Sequence, residues 1–124
     1  MIHFNMAQHD PGLDRLLDLD GFLAEVGGGF WVKIEVRRMP VDAGRPQGIA
    51  YTVTLHEPGG RRVFGIDNAH VVRLHHGPAG RSSMRRDHLH RGQTVRPYVY
   101  SSAETLLEDF WREVEMILRK EGIE

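Results

Sequence analysis

Residues 30–37 read FWVKIEVR, and every second side chain in this stretch is apolar. The same alternation recurs over residues 49–56, IAYTVTLH. A period of two is typical of a β-strand that buries one face and leaves the other face polar. The sequence therefore predicts two such strands, and it places Trp31 on the polar face of the first.

Two further strands follow from the same kind of pattern. Residues 57–61, EPGGR, are a turn signal, after which a strand resumes at residues 62–66. Strand patterns joined by a short Pro-Gly-Gly connection predict a β-hairpin. Residues 93–100 predict another strand, and Pro97 within it favours a position at the edge of the sheet.

Helices are predicted near both ends of the chain. Ser101 and Glu104 have the spacing of a capping box, and apolar residues then recur every three or four positions. This pattern predicts an amphipathic helix over residues 102–121. A short helix is predicted within residues 10–26, where leucines have helical spacing. Residues 1–9 show no period and are predicted to be flexible.

Together these elements predict a single α+β domain over residues 1–124. We expect two layers, with a mainly antiparallel sheet of about four to five strands across residues 30–100. The C-terminal amphipathic helix and the short N-terminal helix pack on this sheet. Residues 67–92 are predicted to form a basic loop, rich in histidine and arginine, within the sheet region.

The composition is that of an ordinary soluble domain, with 40% hydrophobic and 27% charged residues. The chain has no cysteine, which excludes disulfides and thiolate metal sites. It has no apolar run long enough to span a membrane and no signal peptide, so we expect a cytoplasmic protein without membrane contact. The glycines at residues 27–29 lack the Lys-Ser or Lys-Thr of a P-loop, and no cofactor is predicted.

The charges are unevenly distributed, although the formal net charge is only -1. Residues 61–96 carry eight arginines against two acidic residues, whereas residues 104–124 carry seven acidic residues against three basic ones. Arginine accounts for 14 of the 16 cationic side chains. Its planar guanidinium suits phosphate and carboxylate groups. The middle of the chain is therefore predicted to attract an anionic partner, although a GC-rich genome would also favour arginine over lysine.

Five of the eight histidines lie between residues 67 and 90. Asp67 and Asn68 end the predicted third strand, and His70 follows them. In a catalytic interpretation His70 is a general acid–base group that Asp67 and Asn68 orient. In a structural interpretation Asp67 and Asn68 form an Asx turn that closes the hairpin. The two interpretations are compatible.

His88 and His90 fall on one face if their segment is extended. They are candidates for the acid and base of metal-independent RNA cleavage, in which one removes the 2′-hydroxyl proton and the other protonates the leaving oxygen. Two other interpretations stay open: ligation of a divalent metal, which imidazole suits, and a solvated surface loop without chemistry. Because no second ligand pair stands at a fixed motif distance, no metal site is predicted.

Arginines in and after this segment are candidates for binding phosphate or an acidic partner. They are Arg73, Arg81, Arg85, Arg86, Arg91 and Arg96. Such residues can follow a nucleic-acid backbone. Aromatic residues are sparse between them, which disfavours base stacking in this segment. The same arginines could dock an acidic protein.

The pattern IDNAH at residues 66–70, followed by DHLH at residues 87–90, resembles the TumE-like family of toxin components from prokaryotic toxin–antitoxin systems. The resemblance is that of a distant member and extends over residues 30–118. It implies a small α+β fold of this length, an antitoxin protein as partner and a nucleic-acid target. It also implies that the site consists of the matching residues Asp67, Asn68, His70, His88 and His90.

We therefore expect a toxin-like protein that acts on RNA or another phosphate-bearing target through its His/Arg-rich segment. The alternative is a non-enzymatic binding module that docks an acidic protein or a nucleic acid through the same segment, with salt-sensitive binding. A small His-ligated metal protein is the third interpretation. The sequence leaves open whether there is turnover and what the oligomeric state is, and Trp31 on a polar strand face is compatible with a homodimer.

Overall fold

The computed structural model of the protein describes residues 9–43, 45–68 and 87–123. Within these ranges the chain forms two helices and six strands. They are α1 (Leu13–Asp18), β1 (Phe22–Gly27), β2 (Phe30–Arg38), β3 (Ile49–His56), β4 (Arg62–Asp67), β5 (Asp87–Arg91), β6 (Thr94–Tyr98) and α2 (Ala103–Lys120). Apart from residue 9, the segment that was predicted to be flexible lies outside the described residues.

The strands form one antiparallel sheet in the order β1-β2-β3-β4-β5-β6, so each strand pairs with its sequence neighbours. The α+β class and the antiparallel sheet are confirmed. The predicted strand number of about four to five is wrong, because the sheet has six strands. β1 occupies residues that were assigned to the N-terminal helix, and β5 lies inside the predicted loop. Pairing with a neighbouring strand overrides weak local patterns of this kind.

The buried side of the sheet and both helices share one hydrophobic core. Alternate residues of β2 are buried, as the sequence predicts, and α2 buries Leu106, Phe110 and Val114. Phe110 stacks on Phe64 of β4 with 6.2 Å between ring centroids. Each fully buried side chain of this size stabilises the fold by about 1.5–3 kcal/mol. Because both helices contribute to this one core, they lie on the same face of the sheet.

The start of α2 is held by a residue from the N-terminal segment. Asp10 accepts hydrogen bonds from the first helical N–H (2.7 Å) and from the hydroxyl of Tyr100 (2.6 Å). The helix cap is Ser102 and not the predicted Ser101, and its hydroxyl accepts from the N–H of Thr105 at 3.0 Å. Ser102 has the extended backbone that an N-cap needs. The N-terminal segment thus fixes α2 against the sheet.

The sheet face opposite the helices carries mainly polar side chains, and we call it the polar face. The strand register places these side chains in three rows. The first row is Glu35, Thr52, Asp67 and His88, the second is Lys33, Thr54, Gly65 and His90, and the third is Trp31, His56 and Arg62. Neighbouring rows lie about 7 Å apart along the strands. Three predicted site residues, Asp67, His88 and His90, therefore lie on strands and share the polar face.

Candidate active site

The centre of the candidate site is a hydrogen-bonded pair of His90 on β5 and Asp67 on β4. Atoms Nε2 of His90 and Oδ2 of Asp67 lie 3.0 Å apart, and the side chains are 17% and 9% exposed. Asp67 is directly opposite His88 in the register, so His90 reaches it diagonally. Because both residues belong to paired strands, the geometry of the pair is held rigidly.

Burial lowers the pKa of His90 below its ordinary value. The carboxylate of Asp67 opposes this effect, while the charges of Arg62 and His88 lower the pKa further. His90 is therefore neutral at neutral pH. Since a carboxylate only accepts hydrogen bonds, a neutral His90 donates from Nε2 and leaves Nδ1 as a proton acceptor. A general base requires this tautomer.

The second carboxylate oxygen of Asp67, Oδ1, is buried and has no hydrogen-bond partner within the described residues. Leaving a buried acceptor without a donor costs about 1–3 kcal/mol. Such atoms are therefore few in folded proteins. Asp67 can accept a further hydrogen bond while it still holds His90.

His88 lies beside His90 on the polar face. The centroids of the two imidazole rings are 6.2 Å apart, and their planes are inclined by 47°. The prediction that these two histidines share a face is confirmed. Two imidazoles at this separation can contact opposite ends of one small group, such as a phosphodiester.

Asn68 is bound to the backbone of β3. Its Oδ1 accepts a hydrogen bond from the N–H of Tyr51 at 2.9 Å, and its Nδ2 donates to the carbonyl of Ile49 at 3.0 Å. The backbone N–H of Asn68 also donates to the carbonyl of Tyr51, at 3.2 Å. The amide thus anchors the end of β4 beside Asp67, and both its oxygen and its nitrogen bind the backbone of β3.

The sequence analysis missed a buried hydrogen-bonded cluster that lies beside the pair of Asp67 and His90. Asp87 begins β5, and its Oδ2 accepts hydrogen bonds from the hydroxyl of Tyr51 (2.7 Å) and the amide of Gln47 (3.1 Å). Burial raises the pKa of Asp87, and the hydrogen bond from Tyr51 lowers it. Burial and the charge of Asp87 raise the pKa of Tyr51 well above its ordinary value. The signal in the sequence that could have revealed this cluster is Tyr51 itself, because a tyrosine on the buried side of a strand needs a hydrogen-bond partner for its hydroxyl.

Two of the six predicted phosphate-binding arginines lie within the described residues, and neither shares a sheet face with the histidines. Arg91 forms an ion pair with Glu113 of α2, at 2.8 Å, and its guanidinium lies over the ring of Phe64. Arg96 is exposed on β6, in register with Leu89. Both arginines therefore belong to the face opposite the histidine pair.

The remaining predicted site residues lie outside the described ranges. They are His70, Arg73, Arg81, Arg85 and Arg86. The described chain ends at Asn68 on one side of this gap and resumes at Asp87 on the other. Both ends adjoin the pair of Asp67 and His90 in the sheet.

Arg62 is a cation near the pair that the sequence analysis did not connect with it. It stands opposite His56, beyond a bulge in the pairing of β3 and β4. Its side chain runs beside Gly65, and its charge lowers the pKa of His90. The strand register creates this neighbourhood, because Gly65 pairs with His90. Local sequence patterns contain no such information.

Two further findings concern the described residues only. No three of their histidine or acidic side chains are grouped as a metal ion would require. None of the helices in these ranges combines the length and the apolar character needed to cross a membrane.

The fold and the site define a small α+β protein with one antiparallel sheet, whose polar face carries a histidine–carboxylate pair. A protein-family model described as Toxin TumE matches residues 23–118, which is more than half of the chain. The chain therefore belongs to the TumE toxin family, and the resemblance noted in the sequence is confirmed. Comparisons with curated proteins and with solved structures find no match.

Proposed function

We propose that this toxin cleaves RNA by metal-independent acid–base chemistry, with His90 as general base and His88 as general acid. One observation carries the proposal: the 3.0 Å pair between Asp67 and a His90 whose pKa is lowered. A neutral imidazole oriented by a carboxylate suits general base catalysis. Membership of a toxin family supports a harmful activity in general, and the RNA target belongs to our proposal.

In the proposed reaction Nδ1 of His90 takes the proton of a ribose 2′-hydroxyl, and the 2′-oxygen attacks the adjacent phosphorus. The bond from phosphorus to the 5′-oxygen breaks, and that oxygen takes a proton from His88. The products are a 2′,3′-cyclic phosphate and a 5′-hydroxyl end. Asp67 stabilises the imidazolium that forms at His90. Exchange with water then returns both histidines to their starting states.

The negative charge that develops on phosphorus needs a cation nearby. From the sequence, Arg85 and Arg86 are the predicted phosphate-binding residues, and His70 is a further acid–base candidate. These roles stay predictions.

The test is the cleavage of single-stranded RNA in EDTA by the wild type, His88→Ala and His90→Ala. His9→Ala is the control, because His9 is exposed and lies outside the sheet. We expect each site variant to lose about 100- to 10,000-fold in rate, and the control to cleave like the wild type. Wild-type rates in both site variants would refute the two assigned roles. A wild type that leaves RNA intact would refute the reaction itself.

A second candidate function is binding without turnover, and the charge distribution favours it. Residues 61–96 carry eight arginines and two acidic residues, which suits an acidic protein or a nucleic acid. An antitoxin in the prokaryotic cytoplasm is the protein partner that this proposal expects. Its affinity should fall as salt is added. Affinity that does not change with salt would argue against docking through this segment.

A further inference from the structure

The polar face carries a stacked ring pair that has no role in the proposed chemistry. Trp31 of β2 and His56 of β3 are opposite each other in the register. Their ring centroids are 4.1 Å apart, and the ring planes differ by 5°. Both side chains are half-buried. The pair is thus an aromatic surface among charged and hydroxyl side chains.

The His56 ring is fixed by hydrogen bonds at both nitrogens. Its Nδ1 lies 3.0 Å from the carbonyl oxygen of Gly60, and its Nε2 lies 3.0 Å from the hydroxyl of Thr54. Because a carbonyl only accepts, Nδ1 of His56 donates the bond to Gly60. A ring that is already immobile loses little conformational entropy when a ligand stacks on the pair. The pair is therefore preorganised for a planar ligand.

Arg62 lies on the same face, between the ring pair and the proposed general base. It is opposite His56, and its Cδ is 3.3 Å from the point where a side chain on Gly65 would begin. Among the described residues no carboxylate forms an ion pair with it. The adjacent Arg61, by contrast, is bound by Glu57 through two hydrogen bonds of 3.0 Å. Arg62 is exposed, so it presents a positive charge that no carboxylate of the described residues neutralises.

These groups lie in an order that suits a strand of nucleic acid. From His56 to His90 the face spans two strand spacings and one row, about 12 Å in all. Gly65 lies between them, and the side chain of Arg62 extends over it. The bases of single-stranded RNA can splay out and stack on aromatic side chains, whereas paired bases in a helix cannot. The phosphates of such a strand complement the guanidinium of Arg62.

We propose that Trp31, His56 and Arg62 form a nucleotide-binding subsite for single-stranded RNA. The ring pair stacks one base, and Arg62 binds the phosphate between that base and His90. The subsite rests on the proposed RNA cleavage for its role, because it orients the strand for that reaction. It also supplies the stacking surface that the arginine-rich segment lacks.

The stacking contact is tested with a labelled single-stranded RNA and fluorescence anisotropy, in a His90→Ala background that prevents cleavage. Trp31→Leu removes the ring and keeps apolar volume, and Trp31→Phe keeps a ring. We expect Trp31→Leu to weaken binding about 5- to 100-fold and Trp31→Phe to stay within about threefold of its parent. Equal affinities for the two variants would overturn base stacking.

The phosphate contact has a matched pair of variants, Arg62→Ala and Arg61→Ala. The two arginines are adjacent and exposed, but Arg61 is already bound by Glu57. We expect Arg62→Ala to weaken binding about fivefold or more, and to reduce the slope of log affinity against log salt by about one. Arg61→Ala should change neither. Equal effects of the two substitutions would overturn the assignment, and thermal unfolding checks that every variant is folded.

Measuring both RNA binding and RNA cleavage distinguishes a failure of this subsite from a failure of the proposed reaction. A wild type that does not cleave, but binds RNA through Trp31 and Arg62, would refute the acid–base mechanism and support the subsite. A wild type that cleaves with the same KM as Trp31→Leu and Arg62→Ala would refute the subsite and leave the mechanism in place. Equal affinity for duplex and single-stranded RNA would also overturn the subsite.

Discussion

Replacing Tyr51 by phenylalanine removes one buried hydroxyl and keeps the ring. This hydroxyl donates to Asp87 at 2.7 Å, and Gln47 donates to the same oxygen at 3.1 Å. A hydrogen bond contributes about 1.5–3 kcal/mol when its acceptor is charged, and about 0.5–1.5 kcal/mol when both groups are neutral. We therefore expect Tyr51→Phe to lower the free energy of unfolding by about 2 kcal/mol at neutral pH.

The expected loss depends on pH because it depends on the ionisation of Asp87. Burial raises the pKa of Asp87 in the folded state, so ionised Asp87 destabilises the fold. This destabilisation is absent below the unfolded pKa, increases between the unfolded and the folded pKa, and is complete above the folded pKa. The Tyr51 hydroxyl lowers the folded pKa and so limits the effect. The difference in the free energy of unfolding between Tyr51→Phe and the wild type should grow from about 1 kcal/mol with protonated Asp87 to about 2 kcal/mol with ionised Asp87.

Urea unfolding of both proteins at about pH 4 and about pH 7.5 measures this difference where Asp87 is less ionised and where it is more ionised. Tyr98→Phe is the matched control, because it deletes a hydroxyl that donates to Asp109 at 2.6 Å, and Tyr98 is only half-buried on the exposed edge strand. Its loss should be smaller, since solvent can replace the bond. A loss for Tyr51→Phe that is the same at both pH values, or no larger than that of the control, would refute this account of Asp87.

Asp67→Asn removes the carboxylate that raises the pKa of His90, so NMR titration should find a lower His90 pKa in the variant; an unchanged or higher value would contradict the pair. Gly12→Ala should lower the free energy of unfolding by about 1–3 kcal/mol, because Gly12 has a φ of 83° and a Cβ there would lie 2.8 Å from the backbone of α2. Gly21→Ala, with a φ of 89° and open space around it, should lose less in urea unfolding, and equal losses would contradict the steric argument. Expression of the wild type should arrest growth, whereas His88→Ala/His90→Ala at the same protein level should not; arrest by both would separate toxicity from these histidines.

The elements with strong local periodicity could be predicted from the sequence. In β2 every second residue is buried, and α2 buries the apolar positions that recur at helical spacing. β1 could not be predicted in this way, because its six residues, FLAEVG, are bounded by turns and show little regular alternation. Its place at the sheet edge depends on pairing with β2, which is information that a local pattern does not contain.

The candidate site, too, could be predicted only in part from the sequence. Asp67, His88 and His90 stand out locally, because two histidines two apart share a strand face and acidic residues are rare around them. The residues that surround them in space could not be predicted locally, because the strand register determines which residues become neighbours. Arg62 reaches the neighbourhood of His90 only because β4 pairs with β5. The hydrogen bond from Tyr51 to Asp87 likewise joins residues 36 positions apart.

The meander order of the strands has a consequence for divergence among relatives. Nineteen residues, 68–86, lie between β4 and β5 along the chain, and in general doubling the length of a connection costs only about 0.6 kcal/mol of closure entropy. Both attachment points are secured independently of that connection, since Asn68 is bound to β3 and Asp87 to Tyr51. Insertions, deletions and substitutions can therefore accumulate between β4 and β5 while Asp67 and His90 keep their spacing. The sheet and its histidine–carboxylate pair can in this way stay the same while the connection changes.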